Sequence, residues 1–141
     1  MIKDKNVDPT ASFALQAIDL HTCGTGAAAA TTTIDAWVAP FAGKVMFAAM
    51  YATSATSNTG TMDVWKSTSA GSTTGTSIFT AAYTNATTGA NAADITSLLS
   101  ATACVFAAGD VLTFRCANAV ITKPSISLLV RPLVAKEIYG Y

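Results

Sequence analysis

The sequence predicts an all-β fold, an antiparallel β-sandwich of jelly-roll-like build with an extended N-terminal arm. Three observations carry that expectation. Apolar residues recur with a period of two in short runs, the spacing of a strand with one buried face rather than of an amphipathic helix. The runs are separated by clusters of Gly, Ser, Thr and Asn, the residues of tight turns. Seven or eight such runs fit in the 141 residues, and no convincing amphipathic helix lies among them.

Residues 1–11 carry four charged side chains, Lys3, Asp4, Lys5 and Asp8, together with Pro9. A segment with so little to bury reads as an arm, frayed or pinned on a partner. Residues 12–21, SFALQAIDLH, alternate Phe13, Leu15 and Ala17 with Ala14, Gln16 and Ile18 and read as a first strand. Residues 23–30 form a small-residue loop. The chain is organised around residues 33–52, TIDAWVAPFAGKVMFAAMYA, two apolar runs hinged on Pro40-Phe41-Ala42-Gly43. Proline fixes φ and Gly43 can take a positive φ, so a corner is expected between Val38 and Val45. In the second run Val45, Phe47, Ala49 and Tyr51 are the bulkier, more β-prone set, and that face is expected to meet a second sheet.

Residues 54–60 are turn chemistry. Residues 61–67, TMDVWKS, make a strand with Met62 and Val64 on one side and Asp63 and Trp65 on the other. Residues 77–84, SIFTAAYT, are expected to return against it as a hairpin. Residues 94–100 read either as a short strand or as one helical turn capped by Asp94. Residues 104–106 enter a turn at 107–110, where Asp110 accepts backbone N–H groups, and a strand follows with Leu112 and Phe114 on one face. FAGKVMF and FAAGDVLTF echo one another, which reads as a common way of entering a strand rather than a duplicated corner. Residues 125–133, SISLLVRPL, form the last strand, with Ile126, Leu128 and Val130 inward and Pro132 at its end. The division expected is an arm at 1–11, a sandwich domain at 12–133 and a tail at 134–141.

Charged residues are 11% of the chain, against about 25% in ordinary soluble proteins, and eight basic residues balance eight acidic ones. No cluster of Lys and Arg exists to capture phosphates, so nucleic acid is not an expected partner. The apolar fraction of 51% contains 28 Ala scattered among 22 Thr, and no apolar window of about 18 residues marks a membrane helix. The opening residues lack the apolar run of a secretory signal, which points to synthesis in a cytoplasm. Cys23, Cys104 and Cys116 fit free, buried thiols better than a disulfide framework, although Cys104 and Cys116 could lie on neighbouring strands.

Tests for chemistry give little. Gly24-Thr25-Gly26 mimics a dinucleotide fingerprint, but the β-branched run Thr31-Thr32-Thr33-Ile34 follows where a helix must open. His21 and Cys23 supply two zinc ligands where a structural site takes four. Asp35, Asp63 and Asp110 lie singly, without a second base for a triad or Cys-His pair. The expectation is a protein that is not an enzyme and holds no cofactor or metal. Trp37, Trp65, Phe79 and Tyr83 read as core aromatics or, on the alternative reading, as an exposed platform for sugar. Asn85-Ala86-Thr87 matches a glycosylation sequon and reads as a polar loop.

VAPFAGKV from Val38, LSATACVFAAGDVLTF from Leu99 and SISLLVRPL from Ser125 resemble the small capsid decoration, or cement, proteins of tailed bacteriophages, over residues 34–133. The resemblance implies a β-sandwich or jelly roll that forms homotrimers on the outer capsid surface of the virion and stabilises the shell. Its partners would be the major capsid protein and further copies of itself, with no nucleic acid, membrane or catalytic residue involved. The arm lies outside the resemblance. Ile2, Lys3, Asp4, Lys5, Val7, Asp8 and Pro9 are expected to contact the capsid, ordered only when bound. The alternative is a carbohydrate- or receptor-binding module of a virion fibre or cell surface.

Overall fold

A computed structural model describes residues 15–21, 27–28, 32–57, 59–69, 74–85 and 88–133. Its strands are β1 (Gln16–His21), β2 (Ala27–Ala28), β3 (Thr32–Val38), β4 (Gly43–Ala52), β5 (Ser54–Ala55), β6 (Thr61–Ser67), β7 (Thr76–Ser77), β8 (Tyr83–Thr84), β9 (Asn91–Asp94), β10 (Val105–Phe106), β11 (Val111–Ala117), β12 (Ile121–Thr122) and β13 (Ser125–Pro132). One 3₁₀ turn, Thr96–Leu98, is the only helical element among the described residues. All pairings among the described residues are antiparallel. The first sheet runs β1-β13-β4-β10, with β9 also on β4; the second runs β3-β11-β6-β7, with β8 also on β6. This is the antiparallel β-sandwich that the period-two runs predict.

A small third sheet, β2-β12-β5, holds the two large ones together. The chain passes between them through β2 on the way from β1 to β3, through β5 from β4 to β6, and through β12 from β11 to β13. Three crossovers thus lie side by side and hydrogen-bond to one another. Thr53 N–H donates to Thr122 O at 3.0 Å and Thr56 N–H to Val120 O at 2.9 Å, which satisfies backbone groups that a sheet-to-sheet corner otherwise leaves unpaired. Asn118 and Lys123, at φ 68° and 47°, flank β12 and turn the chain into and out of it.

Between the large sheets Ile18, Leu20, Val45, Met50, Ile126, Leu128 and Val130 of one layer are buried against Met62, Val64, Leu112, Phe114 and Cys116 of the other. Burying a side chain of the Leu, Ile or Phe class stabilises by about 1.5–3 kcal/mol, so this layer dominates the fold's stability. Ile126, Leu128 and Val130 face inward as their alternation predicts.

Alternation fails along β4. Leu129 pairs with Phe47 but Val130 pairs with Val45, so Met46 is an extra residue, a β-bulge. Val45 points inward; beyond the bulge Ala48, Met50 and Ala52 are the buried set, and Phe47, Ala49 and Tyr51 turn outward. The expectation that Phe47, Ala49 and Tyr51 meet the second sheet is therefore overturned, because one inserted residue exchanges the two faces.

The corner between β3 and β4 stands as predicted, since the two strands belong to different sheets. Gly43 works differently from the expectation: among the described glycines only Gly109 has a positive φ, 89°. Gly43 is needed for close approach, because a Cβ there would lie 2.6 Å from Phe106 Cζ and 2.9 Å from Arg131 O. The 107–110 turn is tied to the corner by Ala39 N–H to Asp110 O and Gly109 N–H to Ala39 O, each 2.8 Å. Asp110 Oδ2 accepts Ala107 N–H at 2.8 Å, the turn role its position suggests.

Residues 77–84 do not form one strand. Ile78 and Phe79 are both buried, which adjacent residues of an extended strand on one layer cannot be; the segment nevertheless returns antiparallel against β6 as expected, through β7, β8 and Ile78 N–H to Val64 O at 2.9 Å. Of the two readings of residues 94–100 the helical turn holds, as the 3₁₀ turn Thr96–Leu98; Ile95 is at its N-cap position, Asp94 Oδ1 accepts Thr96 N–H at 2.9 Å, and the strand β9 lies before it, ending at Asp94. Cys104, in the turn just before β10, and Cys116, on β11, are buried free thiols. The arm, the Gly24–Gly26 loop with Cys23, and the tail at 134–141 lie outside the described residues.

Candidate functional site

Two outward sheet faces differ in chemistry. On the first sheet the cross-strand registers set Ala17, Leu129 and Phe47 in one row, Asp19, Ser127, Ala49 and Asp94 in the next, and His21, Ser125, Tyr51 and Ala92 in the third. Leu15, Met46 and Tyr51 are 52%, 41% and 45% exposed on or beside this face, and Phe47 and Leu129 are half-buried. Apart from Asp19, His21 and Asp94 these rows carry no ionisable group but the Tyr51 phenol, and Ser127 Oγ donates to Asp19 at 2.8 Å. The next row sets Arg131 opposite Lys44 on the same side, so the face combines large apolar side chains with a few charges of both signs, an apolar patch bordered by polar groups as in a protein interface.

On the second sheet the outward face is polar and pinned. The alternation of TMDVWKS buries Met62 and Val64 and sends Asp63 and Trp65 out; that of VLTFRCA buries Leu112, Phe114 and Cys116 and sends Arg115 out. Register sets Arg115 directly opposite Asp63. Asp63 takes Trp65 Nε1–H on Oδ2 at 2.7 Å, and Ser77 Oγ–H at 2.5 Å and Val64 N–H at 2.8 Å on Oδ1. Burial pushes the Asp63 carboxyl above its ordinary value, against the downward pull of Ser77, Trp65, Val64 and the Arg115 charge. The Arg115 guanidinium carbon lies 4.0 Å from the centroid of the Trp65 ring, a cation–π contact. Thr61, Ala82 and Ala117 complete a cleft of about 220 Å³ beside these groups. Cys116 also borders the cleft, but its thiol is buried on the core side and is pushed up to about 12 by that burial, so it is no nucleophile at neutral pH.

The four aromatics do not form one exposed set. Trp37 packs against the core, edge-on to Phe106 at 5.5 Å and to Phe41 at 6.1 Å; Phe79 is buried and Tyr83 is packed against the core. Trp65 alone of the four joins the outer cleft. Asn85 of the sequon is fully buried, its Oδ1 accepting Asn91 Nδ2–H at 2.8 Å, so it presents no acceptor nitrogen to a glycosylating enzyme. His21 N–H donates to Asp35 Oδ2 at 3.2 Å across the gap between the β1 and β3 edges, which makes Asp35 an edge tie. Among the described residues no three His, Cys, Asp or Glu side chains gather as a metal set.

Ile2, Lys3, Asp4, Lys5, Val7, Asp8 and Pro9 lie outside the described residues, so the structure brings none of them to either face. Sequence reasoning passed over Arg115. The available signal was one cation at an outward position of an otherwise apolar strand, but its neighbour Trp65 is fixed by a strand-to-strand register that the sequence does not state. No family model, curated protein or solved structure matches the chain, so both faces are read from their own geometry.

Proposed function

We propose that this protein is a structural decoration protein of a phage head, a homotrimer that lies on the outer capsid surface and bridges major capsid subunits. The observation that carries the reading is the outward face of the first sheet, where Leu15, Met46, Phe47, Tyr51 and Leu129 stand clear of the sandwich core, with Lys44, Arg131, Asp19 and Asp94 as the charged groups beside them. The resemblance of residues 34–133 to capsid cement proteins supplies the identity of the partner. The mechanism is added contact area: an interface of about 1,600 Å² with few ionic terms holds in salt, and repetition over a symmetric shell multiplies it. The carbohydrate- or receptor-binding reading has less behind it, because the platform it needs is divided between core and surface.

The test uses the purified full chain and shells of the corresponding major capsid protein. Light scattering after size exclusion is expected to give three times the chain mass, and sedimentation with shells is expected to saturate at a fixed stoichiometry. Phe47→Ser with Leu129→Ser is expected to abolish retention on shells while leaving the thermal midpoint within a few degrees. Removing residues 1–10 is expected to weaken retention without changing the oligomer. A monomer at micromolar concentration that is not retained on shells refutes the reading.

A further inference from the structure

The second sheet carries a feature that contact area does not use. Arg115 sits over Trp65 at 4.0 Å, and among the described residues no acceptor lies within hydrogen-bonding distance of its guanidinium. An aromatic face attracts the cation but takes none of the five N–H donors, which need acceptor atoms. Asp63, opposite in the ladder, is not that acceptor: its two oxygens hold Trp65, Ser77 and the Val64 amide, and its structural work is to fix the indole. The result is a half-buried Arg115 whose guanidinium, pre-set over a clamped ring, lines a cleft of about 220 Å³ with Thr61, Ala82, Ala117 and the Asp63 carboxylate, whose charge acts on it.

We propose that this cleft binds a single carboxylate on a short apolar stem, gripped by Arg115 through paired N–H···O bonds. The planar fork of Arg matches a carboxylate's two oxygens, a match Lys cannot make. The cleft is smaller than the roughly 300–1,000 Å³ of sites for drug-sized molecules, so the occupant is the size of one acidic side chain or a short free acid. Asp63 selects the charge class: a carboxylate nearby repels a phosphate dianion about twice as strongly as a monoanion at equal distance. Alanine and indole walls favour a hydrocarbon stem over a hydrated one.

The full-length protein labelled with ¹⁵N reports directly through the Trp65 indole N–H, identified by its loss in Trp65→Phe. At fixed ionic strength it is titrated with propionate, with propionamide, and with the acetylated, amidated peptides Ala-Glu-Ala and Ala-Gln-Ala. Both carboxylates are expected to shift the Trp65 signal saturably at millimolar concentration, and both amides to bind at least about tenfold more weakly, as loss of a charge-assisted pair implies. Arg115→Gln is expected to abolish the carboxylate shift. Should that variant not fold, Arg115→Lys decides: charge without the fork is expected to bind about three- to tenfold more weakly. Tighter binding of the Glu peptide than of propionate assigns the site to an acidic side chain of a protein partner, and equal binding assigns it to a free small acid. Equal shifts by acid and amide, no saturation below about 50 mM, or undiminished binding by a folded Arg115 variant overturns the proposal.

Discussion

Replacing Gly43 by alanine tests how tightly the β3–β4 corner is built. The added Cβ would lie 2.6 Å from Phe106 Cζ, 2.9 Å from its Cε2 and 2.9 Å from Arg131 O, where ordinary contact begins near 3.4 Å. Neither neighbour yields freely. Phe106 is wedged by Trp37 at 5.5 Å and 90° and by Phe41 at 6.3 Å, and the Arg131 carbonyl belongs to the β13–β4 ladder. Overpacking costs about 1–3 kcal/mol, and two fixed neighbours place this case at the upper end, about 3 kcal/mol. Removing a strand glycine returns roughly 0.5–1 kcal/mol through the unfolded chain. The net expectation is a loss of about 2 kcal/mol, or about 6 °C in thermal midpoint at about 3 °C per kcal/mol for a domain of this size. Urea unfolding followed by circular dichroism reads it as a lower midpoint at unchanged slope. The double variant Gly43→Ala with Phe106→Leu is expected to recover about 1 kcal/mol relative to the sum of the singles, because the smaller side chain removes the worst contact. A Gly43→Ala protein as stable as the parent refutes the close-approach argument.

Met50→Ala is expected to cost about 2–4 kcal/mol and Tyr51→Ala within about 0.5 kcal/mol by urea titration, the reverse of what unbroken alternation along β4 requires. For Asp63, a carboxyl pK held above its unfolded value means the folded state binds more protons, so this group adds stability as pH falls from its folded pK toward 3.8. The stability difference between parent and Asp63→Asn is therefore expected to move in the parent's favour from pH 7 to pH 4; movement the other way contradicts the assignment. Asn91→Ala removes the 2.8 Å donor to the fully buried Asn85 Oδ1 and is expected to cost about 1–3 kcal/mol by thermal unfolding.

Fold class was legible because the period of two survives in β6, β11 and β13: Met62 and Val64, Leu112 and Phe114, and Ile126, Leu128 and Val130 are inward as their spacing demands. It misleads in β4, where nothing in GKVMFAAMYA marks Met46 as the extra residue. A bulge is set by the partner strand's register, which is a non-local quantity. The same limit hid the cleft. D-V-W shows Asp63 and Trp65 on one side, but Arg115 joins them only through a pairing between residues 52 positions apart in the chain. Residues 78–79 failed for a local reason: two adjacent buried side chains break alternation, and the sequence shows only that both are apolar.

The bulge also explains where the alanines go. Behind Met46 the inward positions of β4 are Ala48, Met50 and Ala52, two of them the smallest side chains that still have a Cβ, and they lie in a core that also holds Phe114, Met62, Ile78, Phe79 and Ile95. Interiors are packed to a fixed density, so these large side chains are accommodated by small ones in the same core. Without the extra residue Phe47 and Tyr51 would enter that core while Ala48 and Met50 faced outward, exchanging two alanines and a methionine for two rings and an alanine in a space already filled. The bulge therefore does two things with one residue. It keeps the core volume correct, and it places Phe47, Tyr51 and the 41%-exposed Met46 on the outward face of the first sheet, away from the core between the sheets. Large exposed side chains gathered on one face in this way lower the free energy of association when another surface covers them. The register error that sequence reading makes in β4 and the surface proposed to meet the capsid thus have a common origin in Met46.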